Sequence, residues 1–123
     1  MSGLMTEINN AHLSFLLEQK VTIVDIRRPE EWTTTGIVAG SLLLTFYDDQ
    51  GNCDLQTWLA ALQPLAPPDK PLILICRTGY RTGLIGELLL EQSSYQQLYN
   101  VTDGILGWIA EGYAVQPWTN SPE

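Results

Sequence analysis

The sequence predicts an α/β fold in three layers, a central parallel β-sheet flanked by helices on both faces. Two observations predict it. Residues 21–26 (VTIVDI) and 72–75 (LILI) are continuous apolar runs without alternation, the pattern of strands covered on both faces. Strand-like runs then alternate with helix-like segments at the spacing of βαβ units. The 123 residues fit one ordinary domain of about 100–150 residues. That single domain spans 1–123, with a core from about residue 6 to 115 and a loose tail at 116–123.

The elements follow in order. Residues 6–8 read as a short edge strand. Asn9 or Asn10 caps a helix reaching Glu18, with Leu13, Leu16 and Leu17 on one face. Residues 21–26 form a buried strand. Pro29 opens a turn or helical start, PEEW, because proline suits the first helical position. Gly36 and Gly40 bracket a loop, and residues 41–46 hold a second apolar run. The segment DDQGN at 48–52 is a turn by composition. Asp54 caps a helix whose apolar face carries Leu55, Trp58, Leu59 and Leu62, ended by Pro64, Pro67 and Pro68. Residues 72–75 are the third buried strand. A helix over 82–92 turns Leu84, Ile85, Leu88 and Leu89 inward. Residues 98–101 form a fourth strand, and 104–111 a last helix ended by Gly112. The tail after Val115 has two prolines and no periodicity. Trp32, Trp58 and Trp108 are assigned to the core.

Composition excludes several functions. Net charge is −8, without the basic footprint of a nucleic-acid binder. No apolar run approaches the roughly 18 residues of a membrane span. The start, MSGLMTEINN, lacks the basic flank and apolar stretch of a signal peptide, so a cytoplasmic location is expected. Cys53 and Cys76 are not spaced as a CxxC pair and make no disulfide framework. With one histidine, His12, no metal site is expected, and a Cys–His pair requires His12 to lie near Cys76. All four arginines fall in two segments, Arg27–Arg28 and Arg77–Arg81. Such clustering points to a local anion site, although composition alone leaves chance clustering open.

The chemistry is read from LILICRTGYRTGLIGELLL. Cys76 stands where a buried strand ends, and a loop with one glycine leads into a helix. Such a loop turns backbone N–H groups inward as an anion cradle, and the helix N-terminus adds partial positive charge. Arg77 and Arg81 are fixed cations nearby. All three effects favour thiolate over thiol, and the thiolate is the reactive form. A cysteine at a strand end is usually packing, but a packed cysteine gains nothing from Arg, Thr, Gly, Tyr and Arg after it. Asp25 and Arg27, ending a buried strand, read as loop braces, with Asp25 holding the cysteine loop through N–H or guanidinium bonds. Cys53 follows a turn and reads as a bystander.

The loop Cys76-Arg77-Thr78-Gly79-Tyr80-Arg81-Thr82 resembles the active loop of the rhodanese-like sulfurtransferases, often CxxGxRS, with Thr82 in the serine place. The segment VDIRRPEEW is similar to a second family segment through Asp25, Arg27, Glu30 or Glu31, and Trp32. DGILGWIAEGYAV is similar to the family's closing segment, with Asp103-Gly104 where paired glycines are frequent. The resemblance runs in order from about Val21 to Val115. It implies a rhodanese-like fold and a single-domain sulfurtransferase moving sulfane sulfur from thiosulfate or a related donor through a Cys76 persulfide. The acceptor is cyanide or a thiol; a protein donor or acceptor is an open alternative. Arg77, Thr78, Gly79, Tyr80, Arg81 and Thr82 form the substrate-binding loop, Asp25 and Arg27 support it, and no metal or organic cofactor is implied. Arg81 is expected to brace the loop just before the helix, and Arg77 to face solvent at the pocket mouth.

The chain departs from the family in one segment. Where many members carry GHIPGA, it reads Gly36-Ile37-Val38-Ala39-Gly40-Ser41, without histidine or proline. Two alternatives stand beside the enzyme reading. One is a non-enzymatic rhodanese-like binding or regulatory module. The other is a phosphatase or arsenate reductase, whose loop holds five residues between cysteine and arginine rather than the four found here.

Overall fold

The computed structural model describes residues 3–120. Its ten elements are β1 (Leu4–Ile8), α1 (Asn10–Glu18), β2 (Thr22–Asp25), α2 (Pro29–Thr35), β3 (Leu42–Leu43), α3 (Leu55–Leu62), β4 (Leu72–Ile75), α4 (Tyr80–Gln92), β5 (Gln97–Val101) and α5 (Gly104–Ala110). The five strands form one sheet in the order β1-β5-β4-β2-β3, and every pairing is parallel. The α/β expectation holds.

Strand periodicity divides the core into two layers. Leu72 and Leu74 of β4 join Val24, Trp58, Leu59, Leu62, Ile85 and Leu89 on the face covered by α3 and α4. Ile73 and Ile75 join Ile8, Leu13, Leu16, Ile23, Ile105 and Trp108 on the face covered by α1 and α5. All four residues of β4 are fully buried, which is why its sequence carries no polar alternation. Trp32, Trp58 and Trp108 are buried, as expected.

Because the strands are parallel, the segments after β2, β4 and β5 emerge at one edge. From β2 the chain moves outward to β3; from β4 it moves the other way, to β5. The crevice between the ends of β2 and β4 is therefore a topological switch point, where open α/β sheets bind ligands. Arg27 and Cys76 follow those two strands.

Four local expectations need correction. The run at 41–46 gives only a two-residue strand, because Leu44 and Phe46 donate to the consecutive carbonyls of Asp25 and Ile26 and the ladder loses register. Helix α4 begins at Tyr80, two residues earlier than predicted, since Gly79 caps it in the left-handed region at φ 92°. Leu84 is exposed; the inward stripe of α4 is Thr82, Ile85, Gly86 and Leu89, spaced as one helical face. The segment expected to be loose is anchored at its start. Gln116 and Ile37 exchange backbone hydrogen bonds of 2.7 and 2.9 Å, and Trp118 packs edge-on against Trp32 with ring centroids 5.1 Å apart. Residues 121–123 of that tail lie outside the described residues.

This anchoring predicts that Trp118→Ala lowers stability by about 1 kcal/mol or more, the scale of a lost aromatic pair plus its buried area. Urea denaturation of the variant checks it; an unchanged midpoint would mean the tail is loose after all.

Candidate functional site

Cys76 is only 1% exposed, and its Sγ lies within the apolar layer between the sheet and α3/α4. Two polar groups reach the sulfur. The Gly79 N–H donates to it at 3.1 Å, and the Thr82 hydroxyl oxygen stands 3.3 Å away. The sulfur thus faces a left-handed glycine and the first turn of α4, where N–H groups and the helix dipole favour negative charge.

The loop holds this shape because its carbonyls are taken from behind. Ile105 N–H donates to the Cys76 carbonyl at 2.9 Å and Leu106 N–H to the Arg77 carbonyl at 3.1 Å. Both donors belong to the first turn of α5. The approach requires Gly104, at φ 62°, where a Cβ would lie 2.2 Å from the Arg77 carbonyl oxygen. A Cβ at Gly79 would lie equally close to the Thr102 carbonyl. In the Asp103-Gly104 pair the second position is therefore the one that must be glycine.

The charged residues form a chain across the switch point. Asp25 and Arg27 are fully buried and paired as a fork, Nε to Oδ1 at 3.0 Å and Nη2 to Oδ2 at 2.8 Å. Asp25 was expected to hold the cysteine loop; its carboxylate instead receives the Arg27 guanidinium and backbone N–H. Arg27 reaches on to the Thr35 hydroxyl at 2.9 Å and the Gly36 carbonyl at 3.1 Å, fixing α2 and its exit. From α2, Glu31 receives both terminal nitrogens of Arg81, at 2.8 and 3.1 Å. The family segment left Glu30 and Glu31 open; Glu31 makes this link, while Glu30 pairs with Arg28 at the surface. Arg81 lies in the first turn of α4 rather than before it, and it braces α4 to α2.

Electrostatics follow from these contacts. Burial works to raise the Glu31 carboxyl, but the Arg81 hydrogen bond and charge, with the Arg28 backbone N–H, outweigh it and hold Glu31 below its ordinary value. The Glu31 hydrogen bond and charge raise Arg81 against burial. Among the described residues, Arg77 alone of the four arginines has no carboxylate partner. It is exposed and lines a cavity of about 180 Å³ with Arg27, Glu30, Glu31, Thr34 and Thr35. Thr78 and Tyr80 are exposed, whereas Thr82 is fully buried.

His12 is exposed on α1, next to Tyr99 and on the sheet face opposite the Cys76 sulfur, so no Cys–His pair forms. Among the described residues no three His, Cys, Asp or Glu side chains gather as a metal site. Sequence reasoning missed Tyr47, Glu7 and Asn100. Burial first, and then nearby Cys53, raise the Tyr47 phenol, which also senses Arg81, Tyr80 and Cys76. Tyr47 and Cys53 share a cavity of about 450 Å³ with Phe46 and Trp58.

The sequence profile described as "Rhodanese-like domain" matches residues 10–111. No curated protein matches the chain significantly. Among solved structures, a rhodanese-related protein from Thermoplasma volcanium is 26% identical, with TM-score 0.69, covering 92% of this chain and 99% of its own. The polysulfide-sulfur transferase of Wolinella succinogenes is 23% identical, with TM-score 0.70 and coverage of 97% and 83%. A protein of unknown function from Rhodopseudomonas palustris, described as a possible tyrosine phosphatase, is 22% identical, with TM-score 0.68 and coverage of 91% and 85%. The last two likenesses concern the fold alone.

The Glu31–Arg81 link predicts a defined acid response. A carboxyl lowered in the folded state contributes stability that is fully present above its ordinary value of 4.5 and is lost as pH falls through the lowered value. Compared with Glu31→Gln, the wild type should be more stable at neutral pH, and the difference should shrink below about pH 4.5. Urea midpoints of both proteins across the acid range check this; a constant difference would refute the linkage.

Proposed function

The chain belongs to the rhodanese-like domain family, and from that membership we infer that it is a sulfurtransferase carrying sulfane sulfur on Cys76. The observation that carries the reading is the sulfur itself: Cys76 Sγ ends the central strand, accepts the Gly79 N–H, and lies beneath a loop of four residues leading to Arg81.

The cycle has two displacements. The Cys76 thiolate attacks the outer sulfur of thiosulfate or a related donor; an S–S bond forms as the donor's S–S bond breaks, and sulfite leaves with the electron pair. The terminal sulfur of the Cys76 persulfide now carries the negative charge. Cyanide or a thiolate attacks that sulfur, taking it as thiocyanate or a new persulfide, and the Cys76 thiolate returns. Dividing one transfer into two steps is covalent catalysis. In this reading Arg77, an exposed guanidinium without a carboxylate partner among the described residues, draws in the anionic donor and stabilises departing sulfite. In a chain of net charge −8, capture must depend on that local field. Arg81, held by Glu31, keeps the loop and α4 in place. Thr78, Gly79, Tyr80 and Thr82 complete the binding loop, and Asp25 with Arg27 supports it through α2. A protein donor or acceptor could meet the exposed Tyr80 and Thr78 at the loop rim.

One observation favours a second reading. The 1% exposure of Cys76 is also what a non-enzymatic rhodanese-like module would show. The phosphatase reading is weaker, because four residues between Cys76 and Arg81 give one N–H donor fewer around a tetrahedral phosphate.

Intact mass after incubation with thiosulfate tests the enzyme reading. The wild type should gain one sulfur atom and lose it to cyanide, Cys76→Ser should gain none, and Cys53→Ser should behave as wild type. No adduct and no phosphatase activity would establish the binding module; hydrolysis of aryl phosphates without an adduct would establish the phosphatase. Among the arginines, Arg77→Ala should mainly raise KM for thiosulfate and weaken its salt dependence, since an exposed charge acts through a screened field. Arg81→Ala should also lower kcat by about tenfold, equivalent to ~1.4 kcal/mol in the transition state. Steady-state kinetics at low and high salt check this division; lost turnover in Arg77→Ala with Arg81→Ala near wild type would overturn it.

A further inference from the structure

A buried polar chain leads from the Cys76 sulfur to the sheet edge. Thr82 is fully buried, and its hydroxyl oxygen stands 3.3 Å from Cys76 Sγ. The same hydroxyl donates to Oδ1 of Asn100, a buried residue near the end of β5. The amide orientation of Asn100 is fixed by its other end. Nδ2 donates to the Glu7 carboxylate at 3.0 and 3.1 Å and to the Gly79 carbonyl at 3.1 Å. All of these partners are acceptors only, so nitrogen must face them and oxygen must face Thr82. Thr102 adds a hydroxyl donor to the same Glu7 carboxylate.

Hydrogen-bond counting then fixes the Thr82 proton. A hydroxyl has one proton and two lone pairs. The Asn100 oxygen, an acceptor only, takes the proton, while the Gly79 carbonyl competes only weakly at 3.4 Å. The sulfur therefore faces a Thr82 lone pair. That lone pair can accept from a thiol S–H, but it gives a thiolate no donor.

We propose that Asn100, oriented by Glu7, is a positioning residue that directs the Thr82 proton away from Cys76 and so holds the nucleophile in its protonated resting form. The proposal rests on the reading of Cys76 as a nucleophile. For Thr82 to support the thiolate, its hydroxyl must turn from Asn100 to the sulfur, and the Asn100 oxygen then loses its donor. The Asn100 amide cannot relay the thiol proton, because its Oδ1 is a very weak base and its Nδ2 has no free lone pair; the proton leaves to water before the donor is attacked. Other charged or titratable groups around the sulfur are Arg81 on α4, Tyr47 beyond β3, and Glu31 and Asp25 behind Arg81. They are the same in every variant below and supply a constant background.

The test is the rate of iodoacetamide alkylation of Cys76, followed by intact mass in a Cys53→Ser background. Alkylation needs no sulfur donor. At about pH 6, where a free thiol is mostly protonated, Asn100→Ala should react about fivefold faster, because the released hydroxyl can donate to the thiolate. Glu7→Ala, which frees the Asn100 amide to turn over, should give a smaller acceleration, about twofold. Glu7→Gln, able to present an amide oxygen to Nδ2, should stay at the wild-type rate. At about pH 10, where a free thiol is ionised, all rates should converge. In a Thr82→Val background, neither Asn100→Ala nor Glu7→Ala should have any effect. Slower or unchanged alkylation at about pH 6, or acceleration that survives Thr82→Val, would overturn the proposal. If Asn100→Ala does not fold, the exposed position Glu7 decides alone, and an unchanged rate there overturns it. The expected alkylation pattern without a thiosulfate adduct on the wild type would refute sulfur transfer while leaving this inference standing; an adduct without the pattern would do the reverse.

Discussion

The site depends on where the carbonyls of Cys76 and Arg77 point. A short loop between a strand and a helix can turn its N–H groups inward only if its carbonyls have partners elsewhere, since buried backbone polar groups are rarely left unpaired. Here Ile105 and Leu106 supply those partners. Two glycines make the contact possible, Gly104 beside Arg77 and Gly79 beside Thr102, and at either a side chain would enter a carbonyl oxygen. With the carbonyls fixed behind, Gly79 N–H has its direction toward the sulfur. The tight packing of α5 on the loop therefore helps set the loop's geometry around Cys76, although α5 donates no hydrogen bond to the sulfur.

The charged chain plays a complementary part on the other side. A buried ion pair such as Asp25–Arg27 adds little net stability against an apolar replacement, because desolvation offsets much of its attraction. Its geometric effect is larger. Three further acceptors on α2 and its exit take the same guanidinium, so the end of β2 dictates where α2 lies. Glu31 then dictates where Arg81 lies. Among the described residues, carboxylates pair with Arg27, Arg28 and Arg81, which leaves Arg77 as the local field available to an anion. An acidic protein can thus present an exposed positive charge beside the switch point without a basic surface.

Much of this was legible in the sequence, and the gaps have physical causes. The continuous runs LILI and VTIVDI announced doubly covered strands, and Asn9 and Asp54 announced their helices as N-caps whose side chains accept the expected backbone N–H groups. The loop from Cys76 to Thr82 was legible because its composition is pointless for packing. Leu84 was misplaced because apolar spacing hides two inward residues, Thr82 and Gly86; at Gly86 the helix packs so closely that a Cβ would lie 2.1 Å from Met5 Sδ. The tail was misread because Gln116 and Trp118 are held by Ile37 and Trp32, partners some eighty residues away. Asn100 and Glu7 were invisible for a similar reason. Nothing local marks an asparagine within a strand as the partner of a threonine on a distant helix.

The burial of Cys76 sets the last constraint on how the site can work. A thiolate on Sγ is surrounded mainly by the apolar layer that contains Ile26, Phe46 and Ile85, and an ion in such surroundings is costly unless donors meet it. Gly79 N–H is one donor; Thr82, turned toward Asn100, is not a second. In the proposed cycle the persulfide relieves this conflict. Adding one sulfur atom moves the negative charge outward by an S–S bond of about 2.05 Å and leaves the buried Sγ neutral. The resting thiol and the loaded persulfide both suit a buried Sγ, whereas the bare thiolate between them does not. A site of this design would spend its time in those two states and pass through the thiolate only when donor or acceptor arrives.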